Sequence, residues 1–381
     1  MVQRRAVVYL DWNATTPLCH EAAEAMRRAM VDGWANPASV HREGRRARAF
    51  VESAREGVAR LAAVDPRDVF LTSGGTEANN LALRAPFVEP GGVLVVSRIE
   101  HPSVLRTAQS LASEGTTVVE IEPRSDGSVD PAAFQAAVEA HPGRVRLVSL
   151  QALNHETGVL QPVHEVAEIA RRAGALFHCD AVQAVGRLSP DVYRGADFVT
   201  VASHKLRGPK GVGALATLCG VKLRPLLRGG DQERGVRPGT QDPVACAGFA
   251  AALDRAADGP ARYETLRPLR DRLEAELAAI ALPAGSPIVN GTAPRAPHVA
   301  NLSFPGWIGP ELCAALDLEG VCVSSGSACS AGTADPSPVL TAMLGIARAR
   351  SAVRASLGEA TTERDVVEAV SAFRRVLARS A

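Results

Sequence analysis

Short apolar runs alternate with helix-patterned stretches through the first two-thirds of the chain, and this alternation constrains the fold more than any other feature. "DVFLTS", "GGVLVVS", "VRLVSLQ", "ALFHCD" and "DFVTVAS" are brief and rich in β-branched residues, as strands buried on both faces are. Between them, Glu43–Ala63, Thr76–Ala85 and Pro162–Ala173 carry the periodicity of helices. This βαβ pattern predicts an α/β fold with a mostly parallel central sheet and helices on both faces. The chain has 381 residues, 46% of them hydrophobic, which is more than one minimal core needs. Near Leu253 the pattern changes: "YETLRPLRDRLEAELAAI" reads as one long amphipathic helix, "PHVANLSFPG" as a strand, and a helix begins at Gly309. A last helix begins near Thr362, with Val366, Val370, Phe373 and Leu377 on one face. Residues 15–252 are expected to form a large domain, and residues 1–14 with 253–381 a smaller α+β domain.

The formal net charge is +1, from 42 basic and 41 acidic residues, which gives no electrostatic case for nucleic acid or an anionic membrane. No apolar run has the length of a membrane span. "MVQRRAVVYLDW" reads as a first strand rather than a signal peptide. The seven cysteines, at 19, 179, 219, 246, 313, 322 and 329, are scattered and lack any CxxC pairing. This predicts neither a disulfide framework nor a structural zinc site, and favours a reducing cytoplasm.

In parallel sheets ligands gather at the carboxyl ends of the strands, so the polar groups just past each run carry the functional signal. "FLTSGGTEANNLAL" turns through Ser73-Gly74-Gly75-Thr76 into a helix; it is either a phosphate cradle or a capped turn. Asp180, at the end of "FHCDAVQAVG", is either a helix cap or a carboxylate awaiting a cation such as a pyridinium. In "TVASHKLRGPKGVGAL" Lys205 follows a strand directly, while Lys210 lies in the loop beyond it. An amine held dry at a strand end is freed to condense with an aldehyde; the alternative is a lysine snorkelling at the surface. Cys329 alone among the cysteines is set among Gly, Ser and Ala, in "SSGSACSAGTADPSP". It is either accidental or a nucleophile on a loop that travels. An anion cradle, a strand-end carboxylate and a strand-end lysine together suit pyridoxal 5'-phosphate.

The chain resembles the cysteine desulfurases of the NifS/IscS type, which have the class V aminotransferase fold of pyridoxal-phosphate enzymes (fold type I). The likeness runs nearly end to end, through "YLDWNATTP", "NPASVHREGRRAR", "LTSGGTEANNLAL", "IEHPSVL", "NHETGVLQP", "FHCDAVQAVG", "SHKLRGPKGVGAL", "QERGVRPGT", "SSGSACSAG" and "VRASLG". The resemblance implies that Lys205 holds the cofactor covalently, Asp180 meets its ring nitrogen and Gln183 its phenolic oxygen. It implies that Gly75, Thr76, Ser203 and His204 bind the phosphate, and that His101 stacks on the ring and moves protons. Thr240 would reach the phosphate of the other subunit in a homodimer. Arg354 would clamp the carboxylate of L-cysteine, with Asn36 also on the substrate side and His155 at the cofactor. Cys329 would receive the sulfur as a persulfide for an acceptor protein, and could ligate an iron–sulfur cluster transiently; no resident metal is implied. The length of its loop, about 324–338, resembles the IscS-like group.

Three departures stand out. The family commonly has Asn-Asn-Glu-x-Gly where this chain has Asn154-His155-Glu156-Thr157-Gly158. Its Gly-Gly-Gly is replaced by Arg228-Gly229-Gly230-Asp231. The chain also stops at its last helix, without the extension by which some relatives dock a scaffold protein. Selenocysteine lyase, a true class V aminotransferase and an inactive scaffold of the same fold are the alternatives.

Overall fold

The computed structural model describes residues 7–326 and 335–380, apart from positions 88, 90 and 219. A first short strand, β1 (Val8–Tyr9), precedes β2 (Val69–Thr72), β3 (Val93–Ser97), β4 (Thr117–Ile121), β5 (Val145–Ser149), β6 (Leu176–Asp180), β7 (Phe198–Ala202) and β8 (Gly213–Thr217). The last seven form one sheet in the order β2-β8-β7-β6-β5-β3-β4. Only β8 runs against its neighbours; β7, β6, β5, β3 and β4 pair in parallel, and β2 shares their direction. Five of these strands coincide with the five apolar runs. The edge strand β4 is half exposed, so its sequence lacks the continuous apolar run of a strand buried on both faces.

The sheet is covered by helices that include Arg42–Ala62, Gly75–Arg84 and Val163–Arg172, within two residues of the expected bounds. One core lies between the sheet and Arg42–Ala62, Val163–Arg172 and Pro243–Ala256. The opposite face is covered by Gly75–Arg84 and Pro102–Ser113, packed over Leu94, Val96, Leu147, Phe198 and Leu215.

The last third supplies β9 (Ile288–Val289), β10 (Val299–Ser303), β11 (Val321–Cys322) and β12 (Ala352–Ser356). β12, β10 and β9 form an antiparallel sheet, and β11 pairs in parallel with β1. A separate core joins Val8 and Leu10 to Leu273, Leu302, Leu312 and Phe373, the last stacked on Phe304 with ring centroids 5.4 Å apart. Val366, Val370, Phe373 and Leu377 are buried on the helix Glu363–Leu377, which opens with a capping box between Thr362 and Asp365.

Two readings change. The long helix expected from Tyr263 is two, Gly259–Glu264 and Arg267–Ala278. Pro268 has no N–H to give the preceding turn, so the helix restarts there. The expected boundary at 252/253 falls inside the helix Pro243–Ala256, whose Leu253 and Ala256 pack into the first core. Among the described residues no helix is long and apolar enough to cross a membrane.

Candidate active site

The carboxyl ends of β2, β3, β5, β6 and β7 converge on one cleft, closed from the other side by Arg354 of β12 and by Asn13 and Ala14 beyond β1. Of the residues singled out from sequence, Gly75, Thr76, His101, His155, Asp180, Gln183, His204, Lys205 and Arg354 line it.

The cradle is built by close packing. A Cβ on Gly213 would lie 2.7 Å from Gly74 Cα and 2.7 Å from Val201 O, so β8 can approach the turn only as glycine. Gly74 itself has φ +152°, outside the range that side chains favour. The ten-residue helix that starts at Gly75 directs its first-turn N–H groups, and the positive end of its dipole, into the cleft.

Asp180 caps a turn and also faces the cleft. Its Oδ1 accepts from Val182 N–H at 3.0 Å, capping a turn, and its Oδ2 accepts from Asn79 at 2.8 Å while the residue faces the cleft. Beneath it His178 is fixed between Ser149 at 2.8 Å and Thr200 at 3.1 Å, and burial pushes its imidazole down to about 4.

Lys205 sits in the single 3-10 turn after β7, and its Nζ donates to the carbonyls of Asn13 and Ala14, the latter at 2.8 Å. Lys210 is exposed, outside the cleft. His204 meets Thr15 Oγ1 at 3.1 Å; burial, then the charge on Lys205, drives its imidazole down to about 3. His101 caps the helix Pro102–Ser113 through Ser103 N–H at 3.1 Å. Burial, with His155 beside it, pushes His101 down to about 4 against the pull of Asp180. Both imidazoles are therefore neutral at neutral pH, able to exchange a proton without first losing one.

Arg354 is buried, with Nη1 donating to His155 O at 3.0 Å and Nη2 to Asp11 Oδ1 at 2.7 Å, while its Nε has no hydrogen-bond partner. Its backbone pairs with Ser324 in both directions, at 2.7 and 3.1 Å, so the segment leading to Cys329 starts beside it. Cys329 itself lies outside the described residues.

Three of the singled-out residues do not line this cleft, among them Thr240, which was expected at the other subunit's phosphate. Ser203 is fully buried with its hydroxyl unpartnered, packed where a Cβ on Gly208 would come within 2.1 Å; the preceding residue, Ala202, lines the cleft instead. Thr240 is exposed in a separate depression lined by Thr72, Gly211, Arg237 and Gln241. Asn36 is exposed and accepts from Ala38 N–H at 2.9 Å.

Sequence reasoning missed the residues that hold these in place. Arg187, 1% exposed, donates to Asn13 Oδ1 at 2.9 Å, to Lys205 O at 3.1 Å and to Gln183 Oε1 at 2.5 Å. Its one signal was an arginine inside the apolar stretch "DAVQAVGRL". Asn79, three residues past Thr76 on the same helix, carried no comparable signal.

The residues fit pyridoxal phosphate. A glycine cradle at a helix N-terminus suits its phosphate, and a buried carboxylate suits its ring nitrogen. The cleft also presents buried polar atoms without partners, including both ring nitrogens of His155 and the Nε of Arg354.

Residues 8–369 match the family described as aminotransferase class-V. A cysteine desulfurase of Cereibacter sphaeroides is 41% identical over 366 residues, covering 94% of this chain and 92% of its own. A NifS-like protein from Rickettsia africae superposes with a TM-score of 0.86 at 30% identity, over 97% of this chain and 99% of that one. SspA, solved in complex with cysteine, superposes with a TM-score of 0.79 at 29% identity, over 93% and 99%. The chain belongs to the class V aminotransferase family, among its cysteine desulfurases of the NifS/IscS type.

Proposed function

We propose that this chain removes the sulfur of L-cysteine with pyridoxal phosphate in the cleft, releasing L-alanine and passing the sulfur through Cys329 to an acceptor protein. The observation that carries this reading is the meeting of Lys205, Asp180 and His101 in one cleft, with Arg354 opposite. When bound, the cofactor supplies an electron sink for the bond to the substrate's Cα proton.

Asp180, held by Asn79 and Val182, keeps an anion in place to pair with a protonated ring nitrogen. Gly75 and Thr76 offer backbone N–H groups to the phosphate, with His204 beside them; Ala202 rather than Ser203 faces this end. Arg354 binds the amino acid's carboxylate by a charge-assisted pair, for which it must exchange at least part of its contact with Asp11. Lys205 would hold the cofactor and, with substrate bound, would take its Cα proton. Neutral His101 accepts or returns the proton of the thiol. Cys329, as thiolate, attacks the substrate's sulfur: an S–S bond forms, the Cβ–S bond breaks with its electron pair staying on the substrate's carbon, which takes up a proton to become the methyl group of alanine, and a persulfide remains on the enzyme.

We place the protein in the cytoplasm as a homodimer in which Thr240 reaches the partner's phosphate; its exposure leaves it available for that contact. The test follows alanine and sulfide from cysteine in wild type and in Cys329→Ser. Alanine and sulfide at the full rate from the variant would reject the assignment of Cys329, whereas no alanine from cofactor-loaded wild type would reject the activity.

A further inference from the structure

His155 stands where the resemblance puts a second asparagine, and it is held with unusual firmness. Asn154 Oδ1 accepts from Glu156 N–H at 3.0 Å, Thr157 N–H at 2.9 Å and Thr157 Oγ1 at 3.1 Å, which closes a tight turn on itself. The turn ends at Gly158, with φ +73°, where a Cβ would press to 2.6 Å from Val299. The carbonyl of His155 accepts from both Asn13 at 3.1 Å and Arg354 at 3.0 Å. The backbone is thus pinned on both sides. His155 lines the cleft at 6% exposure, edge-on to His101 with ring centroids 5.5 Å apart.

Neither ring nitrogen has a hydrogen-bond partner, although Nε2 lies 3.5 Å from Glu156 Oε1, within ion-pair reach. Glu156 is 1% exposed, and its other oxygen, also unpartnered, faces Gly326 and Ser337. Burial works to raise the Glu156 carboxyl, but His155, Ser337 and Arg354 around it hold it below the ordinary carboxylate range. The charged and titratable groups around His155 are therefore His101 on the β3 side, Glu156 on its own turn and Arg354 of β12, with Lys205 and Asp180 across the cleft. A buried imidazole with two open nitrogens, a carboxylate behind it and a substrate cleft in front has the layout of a proton acceptor oriented by a third group.

Building on the desulfurase reading above, we infer that His155, seated by Glu156, is a second proton-exchanging residue of this site, one that shares with His101 the proton of the substrate's thiol as the sulfur is transferred. As Cys329 bonds to the sulfur and the Cβ–S bond breaks, the S–H bond breaks too: its electron pair stays on the outer sulfur of the persulfide, and an N–H bond forms on the imidazole. The resulting cation rests at ion-pair distance from Glu156. His155 is the residue in contact with substrate; Glu156 is a positioning residue.

The test exploits acidity. A selenol is more acidic than a thiol and is ionised already at neutral pH, so it needs no acceptor. His155→Asn is expected to slow alanine release from cysteine by about a hundredfold, the low end of what a positioned acceptor contributes, and to slow release from selenocysteine by far less. It should also remove one ionisation from the pH titration of the bound cofactor's absorbance. Glu156→Gln should shift the cysteine-to-selenocysteine ratio the same way by a smaller factor. Should His155→Asn fail to load cofactor, His155→Gln is read by the same ratio. Equal losses on the two substrates, or none, with an unchanged absorbance titration, overturn the inference while leaving the desulfurase reading intact. A wild-type enzyme that releases alanine from neither substrate overturns that reading itself.

Discussion

At the scale of single residues, the site depends on groups kept in one charge state. Asp180→Asn keeps the shape and removes the anion, so activity of the cofactor-loaded variant is expected to fall about a hundred- to a thousandfold. Alanine release measured against an unchanged melting curve checks this. The buried histidines set an acid limit on stability. An imidazole held at about 4 in the fold titrates near 6.5 when unfolded, so its contribution is complete above about 6.5 and is lost as pH falls toward 4. His178 alone should cost on the order of 3 kcal/mol across that window, and His178→Asn should flatten the corresponding fall in Tm. Lys205 and Asp180 were legible because each stands at the carboxyl end of a strand, where side chains project into the cleft, whereas His101 was reached through the family resemblance. Ser203 was not, because placement depends on which face of β7 each residue takes. Ala202 shares the face of Thr200, toward Gly75, whereas Ser203 packs against Gly208. Arg187 and Asn79 act across long sequence separations that no local pattern encodes.

At the scale of elements, close approach is what the strand ends require. Gly213→Ala would drive a methyl into the turn at Gly74, so we expect a loss of about 1–3 kcal/mol together with weaker cofactor retention. Melting and the rate of cofactor loss on dialysis measure the two effects. A second element rests on buried charge. Arg55 forms a two-pronged pair with Glu233, both contacts at 2.7 Å, and Glu233 also accepts from Leu71 N–H at 3.0 Å. This pair clamps Glu233 and Arg234, both at positive φ, seven residues before Thr240 in the case of Glu233. Arg55→Ala leaves a buried carboxylate without its cation and should cost about 3–5 kcal/mol in chemical denaturation. Strand runs buried on both faces announce themselves through continuous apolar sequence, which is why the centre of the sheet was readable. The edge strand β4 and the break at Pro268 were not, since one is half polar and the other interrupts an otherwise intact helical pattern.

At the scale of the whole molecule, two cores meet over the cleft and are tied by charge and by one large ring. Glu359 gathers Arg207 at 3.2 Å, Arg262 at 3.3 Å and Arg255, while Trp12 fills the space a Cβ on Gly358 would need. Removing the carboxylate in Glu359→Ala is expected to cost about 1.5–3 kcal/mol, because three guanidinium groups lose a shared charged acceptor. A shift in the urea midpoint without a change in slope would register it. The two cores were foreseeable from the change of pattern near Leu253, but the contacts between them were not, because they join residues far apart in the sequence. The pairing of Val8 with Val321 has a further result during synthesis. The carbonyls that receive the Lys205 amine follow β1, and β1 has no neighbour until β11 has left the ribosome. A nascent polypeptide can complete its central sheet early, yet the Lys205 amine meets its two carbonyl partners in their final place only when translation is nearly over.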